Sequence, residues 1–199
     1  MALKTFVKVG GISNLDVARY CAGMGVHQLG FCVDKKSEHF MTPPMIKEIT
    51  QWISGVEVVI ECVNTLESLA EYSSDFIETD IDYLNKNSSR LIEGGRPIIC
   101  TVALSSLHDI VNFSALPIGS YVLLEGGEGS LSDEEIKFIS DIAAETPLVL
   151  GYGFYKDNVL NIINNTNLKG ISLKGNNKPS AGLDEHEDLM EMLELLSVD

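Results

Sequence analysis

The sequence predicts an α/β chain of the (β/α)8 barrel class, a TIM barrel formed by a single domain over residues 1–199. Three observations predict it. Apolar, strand-like runs alternate with helix-like segments along the whole chain, eight of each. The strand runs are almost continuously apolar, as expected of parallel strands covered on both faces. A length of 199 residues is close to the least that eight such units need. An open doubly wound sheet is the competing arrangement, but it more often stops at about five or six strands.

The elements follow in order. Thr5–Val9 is a strand of β-branched and aromatic residues; Gly10-Gly11 turn the chain, and Ser13 or Asn14 caps a helix running to Met24. His27–Val33 is the second strand, and Pro43 and Pro44 suit the first turn of a helix opening near Thr42. Val56–Val63 is the third strand, followed by a short helix over Leu66–Tyr72 capped by Asn64 or Thr65. Asp75–Glu78 is the fourth, and Asp80 caps a helix that reaches Glu93 and stops at Gly94-Gly95. The second half repeats the rhythm with strands Arg96–Val102, Ser120–Glu125, Pro147–Gly151 and Leu168–Leu173. Its helices are Ser105–Phe113, one opened by Ser132 with a capping-box pattern, Tyr155–Asn164, and Leu183–Leu196.

Composition excludes several classes of partner. The formal charge of −15 argues against nucleic acid and against an anionic membrane surface, since both reward clustered Lys and Arg. No apolar run approaches the roughly 20 residues that span a bilayer. Met1-Ala2-Leu3-Lys4 leads into a strand without a signal-peptide pattern, so a cytoplasmic location is expected. Cys21, Cys32, Cys62 and Cys100 lie apart in apolar stretches and read as buried free thiols. No His pair has metal-ligand spacing, so neither metal nor cofactor is expected. The expected partner is a phosphorylated small molecule bound by a monomer or homodimer.

Barrel sites lie at the C-terminal ends of the strands, and phosphate commonly sits in the last two loops. Those loops carry Gly151 and Gly153, and Lys174 and Gly175. Accessible N–H groups and a helix N-terminus favour an anion there. Lys156, Lys35 and Lys36 stand at the same rim. Ordinary turn glycines and solvated lysines explain the same residues about as well. Lys8 is more specific, because it falls inside a strand buried on both faces and its ammonium needs a partner. Alternation puts Phe6, Lys8 and Gly10 on one face. Candidate partners are Glu61, Glu78, Asp80 and Glu125, and a purely structural ion pair fits as well as a catalytic lysine. Glu125, at a strand end beside Gly126-Gly127, is the best general-acid candidate.

The chain then resembles the phosphoribosylanthranilate isomerases of tryptophan biosynthesis. Val7-Lys8-Val9-Gly10-Gly11-Ile12-Ser13-Asn14 resembles their Lys-hydrophobic-Cys-Gly-Ile-Thr/Ser opening. Leu29-Gly30-Phe31 with Lys36-Ser37-Glu38-His39-Phe40 resembles Gly-Phe…Lys-Ser-Pro-Arg-Tyr. Leu123-Leu124-Glu125 resembles a Leu-Leu-Asp strand end, and Val149-Leu150-Gly151-Tyr152-Gly153…Asn158-Val159 resembles the Leu-Ala-Gly-Gly-Leu…Asn-Val phosphate loop. The resemblance implies a barrel and an Amadori rearrangement of an aminoaldose phosphate to a ketose, without a cofactor. It implies a substrate- or phosphate-binding set of Gly10, Gly11, Lys36, His39, Gly151, Gly153, Lys174 and Gly175. It places a general base at position 10 and a general acid at position 125. Here Gly10 replaces the base Cys, and Glu125 replaces the acid Asp with one more methylene. His39 stands for the substrate-binding Arg and lacks its bidentate fork. The expectation is therefore a related isomerase with Glu125 and Lys8 in its catalytic set, and Glu78, Asp80 or Cys32 as substitute base. The alternative is an inactive barrel that binds a phosphorylated ligand or serves regulation.

Overall fold

The computed structural model describes residues 2–61, 64, 69–109, 115–127, 129–175 and 186–198. The strands are β1 (Ala2–Leu3), β2 (Phe6–Gly10), β3 (Gln28–Cys32), β4 (Glu57–Glu61), β5 (Phe76–Asp80), β6 (Ile98–Val102), β7 (Tyr121–Leu124), β8 (Leu148–Leu150), β9 (Gly170–Lys174) and β10 (Ser197–Val198). The α-helices are α1 (Leu15–Gly23), α2 (Pro43–Thr50), α3 (Ile81–Glu93), α4 (Asp133–Ala143), α5 (Val159–Asn165) and α6 (Glu187–Leu196). Strands β2 to β9 form a closed barrel in chain order, so the expected (β/α)8 class is borne out.

The expected caps hold where side chains can reach. The Asn14 carboxamide accepts from the Val17 N–H, and the Asp80 carboxylate from the Tyr83 N–H, each meeting an orphan donor of a first turn. Ser132 and Glu135 form the full capping box of α4. Two expected helices differ. The described parts of Leu66–Tyr72 and Ser105–Phe113 hold 3-10 turns, Leu69–Glu71 and Leu104–Asp109, with Tyr72 beyond the first; residues 66–68 and 110–113 lie outside the described residues. Helix α5 begins at Val159, later than expected, because Asn158 closes a turn first by accepting from the Tyr155 N–H at 2.6 Å.

The chain divides into two compact units, Met1–Ile77 with Leu173–Asp199, and Glu78–Ser172. In the first, β3 pairs in parallel with β2 and with β4, in the register Lys8↔Gln28 and Cys32↔Glu61. Val7, Val9, Leu29, Phe31 and Ile60 are fully buried on one face of these strands. Helix α6 contributes Leu189, Met192, Leu193 and Leu196 at helical spacing, so the apolar stripe is packing. A short antiparallel pair, Ala2↔Val198 and Leu3↔Ser197, joins β1 to β10. In the second unit, β6, β7 and β8 pair in parallel around Ile98, Cys100, Val122, Leu124 and Val149, all fully buried. Among the described residues, no helix is long and apolar enough to cross a membrane.

Candidate functional site

The first unit holds a polar centre inside its strand layer. Lys8 of β2 is 1% exposed and Glu61 of β4 is 6% exposed. The Lys8 ammonium donates to Glu61 Oε1, and the Gly11 N–H donates to Glu61 Oε2 at 2.8 Å. Of the four acids open to Lys8 from sequence, Glu61 forms an ion pair with it. Gly11 has φ +68°, a left-handed conformation that glycine adopts freely and that lets the turn present its N–H to the carboxylate.

Two glycines make the space for this carboxylate. A Cβ built on Gly10 would lie 2.5 Å from Glu61 Oε1 and 3.0 Å from Lys8 Nζ. A Cβ on Gly30, in the neighbouring strand, would overlap the carboxylate and lie 2.9 Å from Cγ. Any larger residue at either position would collide with the Glu61 side chain where it now sits. Glu61 therefore fills the volume that a side chain at position 10 would otherwise enter.

Other predicted residues of this unit stand apart in role. The Gly175 N–H donates to the Gly10 carbonyl at 2.7 Å, which removes it as a donor to an anion. A Cβ on Gly175 would meet Ile12 Cδ1 at 2.9 Å. Lys36 and Lys174 are exposed. Lys35 and Lys36 line a cleft of about 860 Å3 together with Asp34, Phe40, Glu71 and Tyr72, so its charges are mixed. The His39 imidazole lies 3.5 Å from the Glu38 carboxylate, an ion pair only when the imidazole is protonated. Cys32 is buried, with its thiol on the same strand as Gly30.

The second unit places Glu125 just beyond β7, half-buried, with its N–H bonded to the Val102 carbonyl. Its side chain lies against Gly151, where a Cβ would be 2.7 Å from Glu125 Cγ. The Gly151 N–H donates to Leu124 O at 2.8 Å and is likewise taken. A Cβ on Gly127 would overlap the Tyr152 ring, and one on Gly153 would lie 2.5 Å from Leu131 Cγ. Burial, then the Glu135 carboxylate, pushes the Tyr152 phenol up from its usual range. Glu78 is buried and Asp80 is exposed as the cap of α3. Burial, and secondarily Asp80, raises the Cys100 thiol to about 12, so it stays protonated. Among the described residues, no group of His, Cys, Asp and Glu could hold a metal ion.

Sequence reasoning named Glu61 only as one possible partner of Lys8 and gave it no catalytic role. The signal was present in two parts: a Glu ending the apolar run Val58-Val59-Ile60, and small residues at Gly10 and Gly30 on strands expected to be filled.

No family model matches the chain. It is 24% identical over 200 residues to an N-(5'-phosphoribosyl)anthranilate isomerase of Marinomonas sp. (strain MWYL1), covering 94% of this chain and 95% of that protein. The phosphoribosyl anthranilate isomerase of Thermotoga maritima superposes with a TM-score of 0.73 at 19% identity, covering 96% of this chain and 98% of that one. A phosphoribosyl anthranilate isomerase in complex with reduced 1-(O-carboxyphenylamino)-1-deoxyribulose 5-phosphate gives a TM-score of 0.71 at 18% identity, with the same coverage. The resemblance drawn from motifs thus extends over nearly the whole chain.

Proposed function

We propose that this barrel is a phosphoribosylanthranilate isomerase-like enzyme, performing aldose–ketose (Amadori) isomerisation of a phosphorylated sugar amine in tryptophan biosynthesis. The observation that carries the reading is the buried Lys8–Glu61 pair beside Gly10. A charged pair buried in a largely apolar strand layer is costly to maintain as structure alone. The nearly full-length likeness to isomerases supports the choice of reaction. Glu125 is the candidate acid, and its role is tested separately by Glu125→Gln. The fluorescence of phosphoribosylanthranilate should decay on adding the purified chain. No decay above background at high enzyme concentration rejects this reading.

A second reading has its own support. The Gly151 and Gly175 N–H groups are engaged, and Tyr152 and Leu131 cover Gly127 and Gly153. Those contacts narrow the means of gripping a phosphate, and glycine at position 10 carries no group that could move a proton, which favours a barrel without turnover that keeps at most a binding role for a phosphorylated molecule. Thermal-shift titration with phosphosugars separates the two, because a ligand of the native state must raise its stability. Stabilisation without turnover supports the second reading.

A further inference from the structure

We propose that Glu61 is the general base of this protein, acting from the space left open by Gly10 and Gly30; this rests on the isomerase reading above. Its carboxylate enters by a different strand from position 10 yet comes to the same place. Two adjacent strands each give up a side chain there, an arrangement that serves no packing purpose by itself, because filling such a space with apolar groups would stabilise the layer more. Glu61 is 6% exposed and its carboxylate is held in one orientation from two sides. Lys8 donates to one oxygen and Gly11 to the other, and a carboxylate oxygen can accept two hydrogen bonds.

In the proposed step the ring-opened substrate carries an iminium carbon at C1. Glu61 takes the proton from C2. The C–H electron pair becomes the C1=C2 double bond, and the C=N π pair settles on nitrogen. The resulting enol then loses its hydroxyl proton to become the C2 ketone while C1 gains a proton. No oxidant, reductant or cofactor enters, and the net change is an isomerisation.

The test compares wild type, Glu61→Gln, Gly10→Cys/Glu61→Ala and Lys8→Met/Glu61→Gln in the phosphoribosylanthranilate fluorescence assay. The last variant removes both charges together, so a folded protein without the carboxylate is obtained even where Glu61→Gln alone unfolds. The expected result is wild-type turnover, a kcat lower by about 10²–10⁴-fold in the variants lacking both carboxylate and thiol, and KM changed by only a few-fold. Gly10→Cys/Glu61→Ala is expected to regain part of the rate, because the thiol then has both a position and room. Wild-type turnover with undiminished kcat in Lys8→Met/Glu61→Gln overturns the role of Glu61 and leaves the isomerase reading standing. Absence of turnover in wild type overturns the isomerase reading, and the base assignment with it.

Discussion

Each of the two units contains glycines that seat a neighbouring side chain, but the seated groups differ in what holds them. In the first unit, Gly10 and Gly30 receive a carboxylate fixed by an ammonium and a backbone N–H, nearly out of contact with water. In the second, Gly127 and Gly153 receive the Tyr152 ring and the Leu131 side chain, both half-buried. A half-buried ring can swing aside when its seat is filled. A buried, ion-paired carboxylate cannot move without abandoning its partners. The contrast teaches that glycine in a barrel strand or loop marks missing volume, and that the neighbour entering it decides whether chemistry or packing results.

Four substitutions break or sharpen this contrast, from the largest effect to the smallest. Lys8→Ala leaves the Glu61 carboxylate buried without its cation, and a stability loss of about 3–5 kcal/mol is expected in urea unfolding. A loss no larger than an ordinary surface change, about 0.5 kcal/mol, would show that the centre is wetter and softer than described. Gly30→Ala forces the carboxylate out of its seat and is expected to cost about 1–3 kcal/mol. In a Glu61→Ala background that cost should largely vanish, and a double-mutant cycle reads the coupling directly. Gly127→Ala meets the Tyr152 ring just as closely, yet the ring has water to move into, so about 0.5 kcal/mol is expected. Equal losses for Gly30→Ala and Gly127→Ala would erase the distinction between the units.

The smallest effect is electrostatic and lies wholly in the second unit. The Ser132 N–H, then the Ser132 hydroxyl, donate to the Glu135 carboxylate and hold it below the usual carboxyl range. A group depressed on folding stabilises the native state above its unfolded pKa and loses that contribution as pH falls through the folded value. The thermal midpoint of wild type should therefore exceed that of Glu135→Gln at neutral pH. The gap should begin to close below about pH 4.3, the free carboxyl value, and continue closing under it. A gap independent of pH would assign the effect to the side chain's shape and not to its charge.

The barrel was legible because its signals are local and repeated. Apolar runs such as Val58-Val59-Ile60 and Val122-Leu123-Leu124 recur between capped helices, and each repeat reinforces the next. Lys8 was legible for a different reason: an ammonium in a buried strand demands a counter-charge, whatever the fold. Which acid answers it was not, since the choice among Glu61, Glu78, Asp80 and Glu125 depends on strand register across more than fifty residues. The β1–β10 pair was missed because two residues on each side are too few to show a period. The loop glycines were read as sources of free N–H groups, a property that sequence cannot supply. The carbonyls that occupy Gly151 and Gly175 belong to Leu124 and Gly10, brought near by the fold alone.

The overlap at Gly30 and the near-collision at Gly10 also constrain the order in which these positions can change. Glu fits position 61 only where positions 10 and 30 are both glycine, or else through poorly folded intermediates. The reverse path is closed in the same way, because restoring a side chain at position 10 while Glu61 remains in place incurs the collision first. Lineages carrying an acid at 61 are thus expected to be locked into glycine at 10 and 30, and an alignment of close relatives should show those three positions changing together.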